Sequence, residues 1–184
     1  MPLLMLKDLP RYECLLEAVQ RYPDLDPSAC EAYLNLLRAG DEAYRQSEAF
    51  FSSHGMTPGR FTVLMLLFDK LAGISLPQTP AELAEKAGVA RATITGLVDT
   101  LERDGLVTRR HDSGDRRMML IHLTPKGQST LDGILPGHFK QMADQMASLT
   151  GPERKTLVRL LNKVAARDTT VAAETRSPAE AGVA

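Results

Sequence analysis

Five arginines stand close together in the second half of the chain: Arg103, Arg109, Arg110, Arg116 and Arg117. Guanidinium groups gathered in this way suit phosphate, or the electronegative floor of a minor groove, because each offers planar donors and a permanent charge. The run from His111 to Arg117, HDSGDRR, is polar, holds a glycine and is too long for a tight turn. It therefore reads as the tip of a projecting hairpin, a shape that fits a narrow groove. Asp115 has the length to hold one of the guanidiniums in a bidentate pair. No comparable grouping points to catalysis. His54, His111, His122 and His138 are scattered, Cys14 and Cys30 form no metal or redox motif, and no glycine-rich phosphate loop occurs. The expectation is a protein that is not an enzyme and uses neither cofactor nor metal.

The arginines need elements to hold them. Leu106 to Arg110 and Met118 to Leu123 read as the two strands of the hairpin, with Met119, Ile121 and Leu123 on one face. Ahead of them, Ile94, Leu97, Val98 and Leu101 recur as one stripe of a helix. The remaining positions, Arg91, Thr93, Thr95, Gly96, Asp99 and Arg103, face outward. Their N-terminal part is small, polar and partly cationic, which lets a helix enter a major groove. Ala90 stands where a capping Ser or Thr is expected, so this helix starts weakly. Upstream, Thr79-Pro80 with Glu82 forms a capping box for a preceding helix. Ala84, Gly88, Val89 and Ile94 have the sizes and spacing for two helices crossing at a short turn, with Val89 and Ile94 plugging the angle. The unit reads as a winged helix-turn-helix.

The run GVARATITGLVDTLERDGLVTRR, followed by Asp115-x-Arg117 and IHLTPKG, resembles the MarR (multiple-antibiotic-resistance regulator) family of winged-helix repressors. The resemblance covers residues 30–167 once the flanking helices are included. It implies a mainly α fold with a small β-hairpin wing, the winged helix-turn-helix being mounted on an intertwined helical dimerisation domain. It also implies that Asp115 positions Arg117 as the minor-groove arginine, with Arg116 beside it as a phosphate or groove contact. DNA contacts are thus expected from Arg91, Thr93, Thr95, Gly96, Arg109, Asp115, Arg116 and Arg117.

The rest of the chain supplies the frame. Residues 1–25 form an N-terminal helical extension, with Cys14, Leu15, Leu16, Val19 and Tyr22 giving a partial apolar stripe. Residues 26–56 and 125–167 form the helical dimerisation region, residues 57–124 the DNA-binding region, and residues 168–184 a disordered tail. Asp26-Pro27 opens a long helix to about Ser53 with an apolar face too long for a small core to cover. Met56-Thr57-Pro58 opens a helix with Phe61, Leu64, Met65, Phe68 and Leu71 on its buried side, and a loop runs from Gly73 to Gln78. Thr124-Pro125 opens a helix that Pro136-Gly137 should kink. Thr150 and Glu153 box the start of the last helix. Apolar positions Leu34, Leu37, Leu157, Leu161 and Val164 then need a partner, which a second copy supplies by symmetry.

With 22 Lys/Arg against 23 Asp/Glu, bulk charge gives no warrant for nucleic acid. Arg91 to Lys126 nevertheless holds seven basic against five acidic residues, so the footprint is a focused patch on an acidic body. No run reaches membrane-spanning length, and a reducing cytoplasm is the simplest setting. The resemblance adds an effector, expected to be a small aromatic carboxylate. It would sit in a crevice lined by Phe50, Phe51, His54, Arg60 and Asp69, Arg60 or His54 meeting its charge. The alternatives are a cysteine-based redox sensor of the same fold, using Cys14 or Cys30, and a winged-helix interaction module without DNA binding. A urate-binding branch of the family uses a tryptophan from an N-terminal extension; this chain has the extension and no tryptophan.

Overall fold

Four helices begin where an oxygen-bearing side chain precedes a proline. In the computed structural model, which describes residues 8–69, 74–112, 114–115 and 117–166, all four caps are made. Asp26 accepts from the amides of Ser28 (2.9 Å) and Ala29 (3.1 Å), Thr57 from Arg60 (3.3 Å), Thr79 from Glu82 (3.2 Å) and Thr124 from Gly127 (3.0 Å). Proline at the first helical position lacks an amide that would be unbonded there in any case. The elements run α1 (Tyr12–Ala18), α2 (Pro27–Ser53), α3 (Pro58–Leu66), β1 (Phe68–Asp69), β2 (Ile74–Ser75), α4 (Pro80–Ala87), α5 (Arg91–Arg103), β3 (Val107–His111), β4 (Met119–Leu123), α6 (Pro125–Gln145) and α7 (Gly151–Ala165). The expected mainly α architecture with a β-hairpin wing is present.

The chain divides into two compact units, Met1–Phe139 and Lys140–Ala184. In the first, α3, α4, α5 and β4 surround a core of fully buried Leu64, Leu67, Leu83, Ile94, Val98, Leu101, Ile121 and Leu131. Burying each such side chain is worth about 1.5–3 kcal/mol. Of α1 only Leu15 is buried, while Leu16 and Tyr22 are exposed. On α2 Phe51 is buried in the core with Phe50 packed partly buried against it, and Leu34 and Leu37 are half-buried. In the second unit, Lys140 pairs with Asp144 (2.7 Å), and Glu153 reaches back to the amide of Thr150 (2.7 Å) to box the start of α7. No residue of α7 is buried: Leu157 is half-buried, while Val158, Leu160, Leu161 and Val164 are exposed.

Two expectations are corrected. The helix that periodicity carries to Leu71 ends at Leu66, and Phe68 and Asp69 pair with Ser75 and Ile74 as a short antiparallel ladder. The carbonyl of Leu67 takes the amide of Leu76 at 2.8 Å, so a strand partner captures backbone that helical spacing alone would have continued. The stretch read as loop from Gly73 to Gln78 accordingly contains β2, and Gln78 bridges to Ile121 beside the wing. Val89 does not plug the α4–α5 angle; it is exposed, and buried Ala84 and Ile94 fill the crossing. Helix α6 continues through Pro136. Leu71 and the tail 168–184 lie outside the described residues. Among the described residues no helix is long and apolar enough to cross a membrane, and no group of three His, Cys, Asp or Glu side chains could hold a metal ion.

Candidate nucleic-acid interface

Helix α4 ends at Gly88, whose φ of +64° is the left-handed conformation that closes a helix and that side chains resist. After Val89 and Ala90, α5 begins at Arg91, with Ala90 making no side-chain cap. Ile94, Val98 and Leu101 anchor α5 on the core, which fixes the opposite face outward. Arg91, Thr93, Thr95 and Gly96 are all exposed. The hydroxyl of Thr95 donates to the carbonyl of Arg91 (3.0 Å), and a Cβ at Gly96 would meet nothing within 4 Å. The exposed face is thus smooth enough for a groove floor. An open cleft of about 510 Å³ runs along the α4–α5 turn, lined by Glu82, Glu85, Val89 and Arg91 among others.

The wing is a regular antiparallel ladder from Val107 opposite Leu123 to His111 opposite Met119. Its tip is closed by carboxylates. Asp112 accepts from the amides of Gly114 (2.6 Å) and Asp115 (2.9 Å), and these bonds hold its carboxyl below the usual aspartate range, that from Asp115 most. Asp115 accepts from the amide of Arg117 at 2.9 Å. The Asp115 carboxylate thus holds the backbone from which Arg117 leaves the chain, and the Arg117 side chain is exposed. Arg116 lies outside the described residues.

Arg109 is the correction with most consequence. Its guanidinium is taken up inside the unit, by Glu102 at 2.5 Å and by Asp99, and its amide donates to Glu102 at 3.0 Å. The hydrogen bond it donates to Asp99, foremost, raises its pKa above the ordinary arginine value. Arg109 thus ties the first wing strand to α5 rather than offering a free cation. Asp99 and Glu102, which face reading gave no role, supply the clamp. Periodicity marks Asp99 as outward on α5 but cannot say what lies across from it.

The expected effector residues also separate. Phe50 stacks with His54 (4.5 Å between ring centres), Phe51 with Phe61 (4.4 Å), and His138 of α6 lies 5.0 Å from Phe51 and 5.1 Å from Phe61. The ring cluster so formed includes His138, which sequence reading left among the scattered histidines. Its Nδ1 is buried with no hydrogen-bond partner. Arg60 does not face an open crevice: its side chain is 13% exposed and pairs with Asp104. Asp69 sits on β1, a different element from the rings, and not on α3.

A recognition helix with a free outer face, set beside a ladder whose tip presents arginine, defines a winged helix-turn-helix DNA-binding protein. The sequence profile of the MarR family matches residues 56–119. The chain is 37% identical over 156 residues to the transcriptional repressor YetL of Bacillus subtilis, covering 85% of this chain and 92% of YetL. Among solved structures it resembles Escherichia coli MarR complexed with operator DNA (TM-score 0.65, 25% identity, 77% of this chain and 98% of that one). It also resembles Bordetella bronchiseptica BpsR, whose DNA binding is regulated by 6-hydroxynicotinic acid (TM-score 0.63, 25% identity, 72% and 91%). The chain belongs to the MarR family of transcriptional regulators.

Proposed function

We propose that the protein is a homodimeric repressor that binds a near-palindromic operator and leaves it when a small aromatic acid binds. The observation carrying the DNA reading is the exposed Arg91–Gly96 face of α5 beside an exposed Arg117 whose backbone Asp115 fixes. Recognition-helix residues meet base edges in this reading, and Arg117 meets the minor groove or backbone. Two copies are favoured by the bare apolar face of α7, where Leu161 and Val164 are exposed, and by the half-buried Leu34, Leu37 and Leu157. An interaction module without DNA binding would have no use for a smooth α5 face and a fixed arginine tip.

For the effector, the α2–α3–α6 ring cluster supplies flat apolar walls, and the unpartnered Nδ1 of His138 supplies a polar atom that a ligand oxygen would satisfy. Of the two groups expected to meet the ligand's charge, Arg60 is already paired with Asp104, which leaves His54, with His138 beside it. A ligand that prefers a recognition-helix spacing that misses the groove needs a coupling of only ~1–3 kcal/mol, or roughly 5- to 150-fold in operator affinity. The test is a gel shift on a fragment the protein retains, with hydroxylated aromatic carboxylates including 6-hydroxynicotinate, and with peroxide. It is run on the parent and on a Cys14→Ser, Cys30→Ser double variant. Release by a carboxylate in both proteins is expected. Release by peroxide alone, lost in the double variant, would move the sensing role to the cysteines, of which Cys14 is exposed.

A further inference from the structure

Arg60 and Asp104 each sit at the wrong end of a helix. Arg60 is in the first turn of α3, after the Thr57 cap, where the positive end of the helix dipole disfavours a cation. Asp104 is the C-cap of α5, where the negative end disfavours an anion. Neither charge serves its own helix. Both are explained only by each other, through the ion pair between the Arg60 guanidinium and a carboxylate oxygen of Asp104.

The Arg60 end of the pair is costly to bury, its side chain being 13% exposed while that of Asp104 is 40% exposed. The Nε of Arg60 is buried without a hydrogen-bond partner, while Nη1 reaches the carbonyl of Gly55 at 3.5 Å. An unmade bond on a buried charged group counts against stability, so a well-packed apolar pair would serve cohesion better. What the ion pair fixes instead is geometry. It joins the turn between α2 and α3 to the end of the recognition helix, where α3 lies close enough to α5 that a Cβ added at Gly59 would meet the Leu97 methyls at 3.4 Å. The end of α5 is held from the α6 side as well. Lys126 donates to the carbonyl of Asp104 (2.7 Å) and Thr124 to that of Gly105 (2.8 Å). Arg103, the other cation near Asp104, is 4.0 Å away and exposed.

We infer that Arg60 is a positioning residue for DNA recognition: clamped to Asp104, it sets the angle at which α5 is presented to the groove. The inference rests on the DNA-binding reading for its consequence but not for its geometry, and the experiment separates the two. Arg60→Met, Asp104→Asn, the double variant and the reversed pair Arg60→Asp with Asp104→Arg are compared well below their melting temperatures. Each single variant is expected to lose about tenfold in affinity for a genomic fragment the parent retains, and the double variant no more than the worse single. The reversed pair, whose charges now suit both helix ends, should recover most of the loss. Hydrogen exchange on the full chain reads the geometry directly. Arg60→Met should speed exchange at the amides of Leu101 to Leu106 while leaving the β3–β4 ladder unchanged. Either single variant binding like the parent while folded overturns the inference. If the parent retains no fragment, the DNA reading fails alone, and exchange at Leu101 to Leu106 then decides: unchanged rates in Arg60→Met overturn the positioning role as well.

Discussion

Arg109 and Arg117 stand on the same hairpin and do different work. Arg109 is spent inside the unit on Asp99 and Glu102, whereas Arg117 is exposed with its backbone fixed by Asp115. Arg117→Ala should weaken binding to all sequences alike and lower the salt slope by about one, while Thr93→Ala or Thr95→Ala should change base preference at a cost of ~1–3 kcal/mol for the preferred site. Salt titrations on matched and mismatched fragments check both; parent-like binding of Arg117→Ala at physiological salt would contradict the wing assignment. Arg109→Ala should instead lower unfolding stability, by roughly 1–2 kcal/mol, because it strands two carboxylates beside α5. The Asp112 carboxyl titrates below the ordinary aspartate range in the folded chain, so its contribution is present above that range and lost as pH falls through the depressed value. The amide shifts of Gly114 and Asp115 should therefore move together at a midpoint below that of an unstructured aspartate. The cluster of wing arginines was legible in the sequence, but which member is neutralised was not. Arg109 meets Asp99, ten residues earlier on a different element, and spacing rules describe only neighbours on one element.

The element boundaries that the sequence revealed are those set by local rules. Thr79 with Glu82, Asp26 with Ser28 and Ala29, and Gly88 at positive φ each need only three or four neighbouring residues, and each occurs as read. The end of α3 needed distant information, because Phe68 and Asp69 are drawn out of the helix by pairing with Ser75 and Ile74. The absent cap at Ala90 gives a prediction at this scale. Ala90→Ser should stabilise α5 by ~0.5–1 kcal/mol, measured by denaturant unfolding. A second concerns the junction of α6 with the end of α5. A Cβ on Gly127 would lie 2.1 Å from the carbonyl oxygen of Leu106, which is backbone and cannot swing away. Gly127→Ala should thus cost ~1–3 kcal/mol or more by overpacking, whereas Gly133→Ala, with nothing within 4 Å on the same helix, should be neutral or stabilising.

At the scale of the whole molecule, the proposed function requires two copies. Val158, Leu160, Leu161 and Val164 leave α7 with exposed apolar surface, and among the described residues none of this helix is fully buried. Leu161→Asp should shift sedimentation toward the monomer and take operator affinity with it, since one half-site holds far less than two. The ring cluster proposed to take an effector was only partly legible at this scale. Phe50 and His54 were visible as candidates, but His138 joins them from α6, far along the chain, and Arg60 turned out to be engaged with Asp104. The most direct test of the account is to select fragments from the source genome with the full-length protein and footprint those retained. Two protected half-sites are predicted, centred about one helical turn (~10 bp) or a small multiple of it apart and bound by a dimer, with protection lost in Arg117→Ala at physiological salt. A single protected half-site bound by a monomer, or no retained fragment at all, would contradict it.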